Sequence, residues 1–233
     1  TSMKLILPAP RLAALSPLIL FLSLFATNAA PITSRKTPVQ MQTHRTFDFK
    51  KAGVRFSNNF SGARMNECTQ TGDSEFRIVI RSENEPVNDS AWYAFQVVAN
   101  EPKTITVTLT YEGGHHRYEP KTSYDGVNWT PLKTFTEDRK ANEAILKLDV
   151  GSKPLTVAGQ EMVGVAELNS WMTELAQKSF AKKSVVGKSM LNQPISQLEL
   201  GESKEPNYVF IIGRQHPPEV TGSIALTNFT ETL

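Results

Sequence analysis

The sequence predicts an antiparallel β-sandwich domain followed by the start of an α/β domain. Between residues 47 and 155, short runs alternate apolar and polar residues and are separated by turn residues, as in the strands of a sandwich. From residue 160 to residue 233, apolar residues recur at helical spacing, interrupted by a hairpin pattern and by a short apolar run at residues 208–212. The change of periodicity places the domain boundary within residues 151–163.

The first thirty residues have the pattern of a secretory signal peptide, which is removed from the mature protein. Lys4 and Arg11 carry positive charge, residues 12–25 are predominantly apolar and uncharged, and small residues follow up to Ala30. The apolar run is shorter than the roughly 20 residues that span a bilayer. We therefore expect a secreted or periplasmic protein with no membrane attachment after cleavage. Residues 31–46 are polar and contain two prolines, which predicts a linker.

Composition is that of an ordinary globular protein and argues against some partners. Of the 233 residues, 39% are hydrophobic and 21% are charged, and the formal net charge is +2. So small a charge, without aromatic residues interleaved in a basic stripe, argues against nucleic-acid binding. The mature part contains a single cysteine, Cys68, so an intramolecular disulfide is impossible and a hydrophobic core must supply the stability.

The clearest strand of the sandwich region is residues 104–111, where every second residue from Ile105 to Tyr111 is apolar and threonines stand between them. A loop of hairpin length joins it to the preceding run, residues 92–98. Residues 123–129 contain Asp125-Gly126, which predicts a hairpin turn rather than a catalytic site. Further strands are predicted at residues 47–49, 54–56, 75–81 and 144–150.

Two groups of residues in this region also permit a binding interpretation. Tyr118, Tyr124 and Trp129 are residue types that form sugar-stacking surfaces, although cross-strand aromatic packing is the simpler explanation. His115 and His116 are possible metal ligands. Adjacent residues of an extended segment point to opposite sides and chelate a metal poorly. We therefore predict a solvated loop for these two histidines.

The second domain begins with a predicted helix from about residue 165 to about residue 181. Residues 184–191 and 195–200 flank an Asn-Gln-Pro turn and predict a hairpin. Residues 208–212 form a short β-branched and aromatic run, which predicts a buried strand. A second helix is predicted from about Pro218 to the end of the chain.

The turn between this strand and this helix carries the most distinctive chemistry. Residues 213–219 read Gly-Arg-Gln-His-Pro-Pro-Glu, a proline-stiffened turn that places His216 and Glu219 three residues apart. Open α/β sheets bind ligands at the carboxyl ends of strands, and imidazole and carboxylate are two of the ligand types of zinc. By spacing alone, however, a glutamate at a helix N-terminus beside a surface histidine is the better explanation, because two common residues match often by chance.

The surroundings of the motif favour the metal site. Residues 213–219, after an apolar run and before a helix, resemble the first metal-binding segment of the zinc carboxypeptidases, especially the branch of cytosolic carboxypeptidases and their bacterial relatives. This resemblance implies that His216 and Glu219 bind Zn²⁺. The order of elements from residue 160 onward is also similar to the start of the catalytic domain in that family. Residues 92–97 and 118–129 more loosely resemble the β-sandwich domain that precedes it.

The resemblance implies a zinc-dependent metallocarboxypeptidase that removes C-terminal amino acids from peptides or proteins. Arg214 lies at the mouth of such a site, as a substrate or oxyanion contact or as part of a structural ion pair. The family also requires a third ligand histidine, a catalytic glutamate and a carboxylate-binding arginine. None can be assigned, because His44, His115 and His116 lie in the wrong domain. We therefore expect the amino-terminal part of a longer enzyme, inactive by itself.

A non-enzymatic function competes with this hypothesis. The chain would then be a secreted β-sandwich binding module for carbohydrate or protein, followed by an inactive peptidase-like remnant. The two hypotheses differ in the sequence expected downstream. A histidine and a glutamate in the positions that the family requires would favour the enzyme, and their absence would favour the binding module.

Overall fold

The computed structural model of the protein describes residues 42–82, 91–201, 209–216 and 218–233. Strands dominate this part of the chain, and both of its helices follow the last sandwich strand. In chain order the elements are β1 (Thr46–Phe49), β2 (Val54–Ser57), β3 (Glu67–Gly72), β4 (Glu75–Arg81), β5 (Ala94–Ala99), β6 (Lys103–Glu112), β7 (Lys121–Ser123), β8 (Thr130–Pro131), β9 (Phe135–Asp138), β10 (Glu143–Val150), β11 (Leu155–Ala158), α1 (Val165–Leu175), β12 (Ala181–Lys188), β13 (Pro194–Leu200) and α2 (Val220–Glu231).

Strands β1 to β11 form two sheets that share one core. The six-stranded sheet has the order β1-β2-β5-β11-β7-β8, and the five-stranded sheet has the order β3-β4-β6-β10-β9. Phe56, Phe95 and Val157 from the first sheet and Phe76 and Leu109 from the second belong to the same buried cluster. Two sheets with a common apolar interior make a β-sandwich, so the predicted fold class is confirmed.

The core follows from the alternation of residue types along single strands. In β6, Ile105, Val107 and Leu109 are buried, whereas the threonines between them are only partly covered. Aromatic side chains fill the space between the sheets. The ring centroids of Phe56 and Phe76 are 5.0 Å apart, a separation typical of favourable aromatic pairs. Burial of these side chains is the main stabilising contribution to the sandwich.

The pairing of strands differs in one respect from the antiparallel prediction. Strands β4 and β6 are adjacent and parallel. The chain leaves β4, passes through β5 in the other sheet and returns to the first sheet in β6. Because the chain reverses direction at each of these two passages between the sheets, β6 runs in the same direction as β4. The loop between β5 and β6 has the length of a hairpin loop, but the two strands lie in different sheets and do not form a hairpin.

Three strands were not predicted, each for a physical reason. Strand β3 is mostly polar and exposed, so it has little alternation; its Cys68 is buried, and burial raises the pKa of that thiol. Strand β9 is short and largely exposed. All four residues of β11 are buried, and a strand covered on both faces has no alternating pattern to detect.

The predicted Asp-Gly hairpin is confirmed by the pairing of β7 with β8. The carboxylate of Asp125 accepts hydrogen bonds from the backbone N–H groups of Val127 and Asn128 and from the Asn128 amide, at 2.9, 2.7 and 2.8 Å. These bonds, first that from the Asn128 side chain, hold the pKa of Asp125 below its usual range. The carboxylate of Asp125 therefore stabilises the turn, as the sequence indicates.

The region after the sandwich contains both predicted helices and the predicted hairpin. Helix α1 ends at Leu175, earlier than predicted, because residues 176–180 form turns before β12 begins. Strands β12 and β13 form a separate two-stranded sheet. Helix α2 begins at Val220, close to the predicted start. None of the helices in the described residues is long and apolar enough to cross a membrane.

The predicted buried strand at residues 208–212 is wrong for the residues that the structure describes. Residues 209–212 have no regular secondary structure, and Val209 and Phe210 are 88% and 82% exposed. A strand needs a hydrogen-bonded neighbour, and within the described residues no strand lies beside this segment. Tyr208, the predicted signal peptide at residues 1–30 and most of the predicted linker lie outside the described residues. The limits of the two domains stay predictions.

The sandwich core yields a direct test. Phe76 is fully buried and contacts Phe49 and Phe56. We expect Phe76→Ala to lower the free energy of unfolding of the sandwich by about 3–5 kcal/mol, because it removes an aromatic side chain from a packed interior. Urea unfolding followed by circular dichroism measures this change. Val127→Ala, at a 79% exposed position, is the matched control and should change it by less than about 0.5 kcal/mol. Equal effects of the two substitutions would contradict the described core.

Candidate metal centre

The candidate centre is the turn at residues 213–219, which lies against the outer face of the six-stranded sheet. Val220, the first residue of α2, is fully buried in a cluster with Trp92, Ala94 and Ala158. Ala94 and Ala158 are paired residues of β5 and β11. Since the neighbouring residues Phe95 and Val157 belong to the sandwich core, this cluster covers the opposite face of the same two strands.

His216 and Glu219 meet within this turn. The Nδ1 atom of His216 lies 2.7 Å from Oε1 of Glu219. The second carboxylate oxygen, Oε2, accepts hydrogen bonds from the backbone N–H groups of Gln215 and His216, at 3.1 and 3.0 Å. About half of each side chain is exposed to solvent. The two groups are therefore adjacent, oriented by the backbone and accessible.

The charge state of this pair follows from its hydrogen bonds. The His216 side chain, then the two backbone N–H groups, lower the pKa of Glu219 to about 2. Glu219 is therefore ionised at neutral pH. Because an ionised carboxylate only accepts hydrogen bonds, the proton of the contact lies on Nδ1 of His216.

Glu219 also lies at the start of α2, as expected if the motif is a glutamate at a helix N-terminus beside a surface histidine. It is the residue that precedes α2, and its carbonyl oxygen accepts a hydrogen bond from the N–H of Gly222 at 2.9 Å. A carboxylate near a helix N-terminus interacts favourably with the helix dipole. A role in the helix start and a role as a ligand are compatible, because both need an ionised and exposed carboxylate.

Arg214 links this turn to the segment that follows the sandwich. Its Nη1 donates a hydrogen bond to the carbonyl of Val163 at 2.8 Å, and its Nε donates to the carbonyl of His216 at 3.3 Å. The guanidinium carbon lies 6.0 Å from the ring centroid of Trp92, at the outer limit of a cation–π contact. Burial lowers the pKa of Arg214, and the charge of Glu219 opposes that change. Its role as a substrate or oxyanion contact stays a prediction.

Gln160 is a second link, and sequence reasoning missed it. Its Nε2 donates to the carbonyl of Pro218 at 2.9 Å, and its Oε1 accepts from the hydroxyl of Thr221 at 3.2 Å. The two partners lie 58 and 61 residues further along the chain. No local signal in the sequence connects positions so far apart.

The donor atoms at the turn fit part of a zinc site. An imidazole nitrogen and a carboxylate oxygen are both zinc ligands, and here they are exposed and already in contact. Among the described residues, no group of three or more His, Cys, Asp or Glu side chains is arranged to hold a metal ion. The described part of the chain thus places two candidate ligands at this point.

The sandwich histidines lie elsewhere, and the solvated loop predicted for them is wrong for His116. This side chain is buried, its Nδ1 lies 2.7 Å from the hydroxyl of Tyr111, and its ring stacks on Tyr93 with centroids 6.2 Å apart. Burial lowers the pKa of His116. His115 remains exposed and lines an open cleft of about 540 Å³ together with Glu137. Aromatic neighbours, rather than solvent, surround His116.

Two of the aromatic residues that suggested a sugar-stacking surface, Trp129 and Tyr124, have different surroundings. Trp129 packs against the cluster that contains Trp92 and Val220, and its Nε1 donates to the carbonyl of Gly126 at 3.0 Å. Tyr124 is half exposed, with the Lys153 ammonium 5.1 Å from its ring centroid. Packing therefore accounts for Trp129.

Two regions of the chain match known protein families. Residues 56–153 match the family model for the cytosolic carboxypeptidase N-terminal domain, and residues 168–233 match the model for zinc carboxypeptidase. Both regions of the chain thus match carboxypeptidase models. The predicted resemblance is thus confirmed, both for the turn region and for the sandwich that precedes it. No curated protein matches the chain.

Solved structures of bacterial carboxypeptidases share the fold of this chain. A metallo-carboxypeptidase from Burkholderia cenocepacia aligns with a TM-score of 0.56 at 17% identity, over 66% of this chain and 41% of its own. A putative carboxypeptidase A from Shewanella denitrificans OS-217 gives 0.56 at 17% identity, over 64% and 40%. A putative carboxypeptidase from Burkholderia mallei gives 0.52 at 15% identity, over 71% and 41%. The chain spans about two fifths of the length of these structures.

Gly213 in the turn and Gly222 in α2 provide a matched test of how closely the turn packs against the helix. A Cβ atom at Gly213 would lie 2.9 Å from Cδ2 of Leu226 and 3.2 Å from the carbonyl oxygen of Gly222. A Cβ atom at Gly222 would meet its nearest neighbour, the backbone nitrogen of Arg214, at an ordinary 3.5 Å. We expect Gly213→Ala to destabilise the docking of α2 by about 1–3 kcal/mol through overpacking.

Gly222→Ala should have the opposite effect and stabilise α2 by up to about 1 kcal/mol, because alanine favours a helix over glycine. Amide hydrogen exchange of α2 measures both changes, as faster exchange in the first variant and slower exchange in the second. Exchange that is equally fast in both variants would contradict the close approach of Gly213 to α2.

Proposed function

We propose that this chain is part of a zinc-dependent metallocarboxypeptidase, which removes C-terminal amino acids from peptides or proteins. The observation that carries the proposal is the 2.7 Å contact of His216 with Glu219 on an exposed turn. This turn lies within the residues that match the zinc carboxypeptidase family. The substrate is the C-terminus of a peptide or protein, in keeping with the family.

His216 and Glu219 would hold the Zn²⁺ ion through a ring nitrogen and a carboxylate oxygen. Zinc with an open coordination position lowers the pKa of a bound water and polarises the scissile carbonyl. Glu219 is already ionised, so it is ready to act as a ligand. If Nδ1 of His216 is the ligand atom, the proton that Nδ1 now donates to Glu219 must move, for example to Nε2 of the same ring. Because both ligands must be unprotonated at the atom that binds zinc, acid should weaken zinc binding.

Arg214 is the candidate for a substrate or oxyanion contact. Its guanidinium already donates to the carbonyls of Val163 and His216. A guanidinium carries five N–H donors, so Arg214 could contact substrate while it holds the turn, or by exchanging one of these bonds.

Two ligands do not complete a catalytic zinc site, which normally has three from the protein. We therefore propose that the 233-residue chain alone binds zinc weakly and has no peptidase activity, and that the complete natural polypeptide supplies the third ligand. The proposal further includes export, because residues 1–30 have the pattern of a signal peptide.

The metal assignment is tested in the complete natural polypeptide. We expect His216→Ala and Glu219→Ala each to remove bound zinc and reduce carboxypeptidase activity by at least about 100-fold, since each removes a ligand. The measurements are zinc content after dialysis and release of the terminal amino acid from a panel of blocked dipeptides. His115→Ala and Glu174→Ala, at exposed positions away from the turn, are the matched controls and should retain both properties.

Stoichiometric zinc and normal turnover in the His216→Ala/Glu219→Ala double variant would refute the metal assignment. The motif would then retain only its role at the helix start. Zinc binding without any peptidase activity in the unaltered polypeptide would instead favour a binding protein with a peptidase-like remnant.

Export is tested by amino-terminal sequencing of the protein from secreted or periplasmic material. We expect a mature start after Ala29 or Ala30, at the end of the small-residue segment. A cytoplasmic protein that retains Met3 at or near its start would contradict this part of the proposal.

A further inference from the structure

The turn that carries His216 and Glu219 has little regular structure of its own. Residues 209–215 belong to no helix or strand, and Ile211 and Ile212 on its amino-terminal side are about half exposed. The position of the turn must therefore be fixed from outside. Within the described residues, the contacts that reach it from elsewhere come from the sandwich and from the segment that follows β11.

We propose that the segment following β11 attaches the metal-binding turn to the sandwich, and that Gln160 in this segment is the positioning residue that holds Glu219 in place. This inference rests on the proposed function, because it assumes that His216 and Glu219 bind zinc. It goes beyond that function by assigning the sandwich a part in the metal centre.

The amide of Gln160 holds the chain on both sides of Glu219. Its Nε2 donates a hydrogen bond to the carbonyl of Pro218, the residue immediately before Glu219. Its Oε1 accepts a hydrogen bond from the hydroxyl of Thr221, two residues after Glu219. One side chain thus fixes the backbone from which the carboxylate projects. Groups that orient ligands in this way affect metal affinity although they never touch the metal.

The remaining contacts place Gln160 on a rigid base. Gln160 follows β11 by two residues, and Ala158 at the end of β11 is fully buried against Val220 and Trp92. Arg214 adds its bond to Val163 on the other side of the ligand pair. The segment that follows β11 therefore attaches the turn to the sandwich, before His216 through Val163 and around Glu219 through Gln160.

The experiment uses the complete natural polypeptide and two variants of Gln160. Gln160→Ala removes both hydrogen bonds. Gln160→Glu keeps an acceptor for Thr221 but cannot donate to Pro218. Gln96→Ala is the matched control, because Gln96 is a similarly covered glutamine, lies in β5 and donates to the hydroxyl oxygen of Thr156 at 3.3 Å rather than to the turn.

We expect both Gln160 variants to bind Zn²⁺ about tenfold more weakly than the unaltered protein, in competition with a chelator. With Co²⁺ as a spectroscopic probe, their visible absorption bands should shift, because the ligand geometry changes. The melting temperature of the sandwich should stay within a few degrees. Gln96→Ala should leave zinc affinity and the Co²⁺ spectrum unchanged.

The inference would be overturned if the Gln160 variants had the same zinc affinities and Co²⁺ spectra as Gln96→Ala. In that case, zinc binding by the unaltered protein would leave the proposed function intact. Failure of the unaltered protein to bind zinc would refute the proposed function and the inference with it. If Gln160→Ala fails to fold, Gln160→Glu decides the matter, because it preserves the size of the side chain and its bond to Thr221.

Discussion

The apolar contact between Val220 and the outer face of the six-stranded sheet is the interaction on which the candidate centre depends. Val220 is buried against Trp92, Ala94 and Ala158, and it is the first residue of α2. Burying a valine stabilises such a contact by roughly 1.5–3 kcal/mol. The helix start is thereby attached to the sandwich, and the ligand turn that leads into it is brought within reach of Gln160.

This contact also contributes to the burial of β11 on its outer face. Leu155 and Val157 face the sandwich core, whereas Ala158 faces the helix start. A small residue at Ala158 and another at Ala94 allow α2 to approach the backbone of the sheet. The sandwich is therefore more than a domain that precedes the site, because its outer face is part of the surface that supports the turn.

Patterns that depend on one exposed and one buried face could be predicted from the sequence, as in β4, β6 and β10. Patterns that depend on distant partners could not. Strand β11 is covered on both faces, by the sandwich core and by the cluster that contains Trp92 and Val220. Residues 209–212 form no strand, because no strand of the described residues lies beside them. At the candidate centre, the spacing of His216 and Glu219 indicated that they lie in one turn, and their side chains do meet there. Their role as zinc ligands stays a prediction. Gln160 and Trp92 were missed, because their role arises only when segments about 60 or more residues apart come together.

We propose that His216 and Glu219 form one metal site on a turn attached to the sandwich. Anomalous diffraction at the zinc edge, from crystals of the complete natural polypeptide, locates the metal. We expect a single peak about 2.0–2.2 Å from a ring nitrogen of His216 and from a carboxylate oxygen of Glu219, with Val220 still packed on Trp92. A zinc peak at another site, such as beside His115, or no zinc at the turn of the active protein, would contradict it.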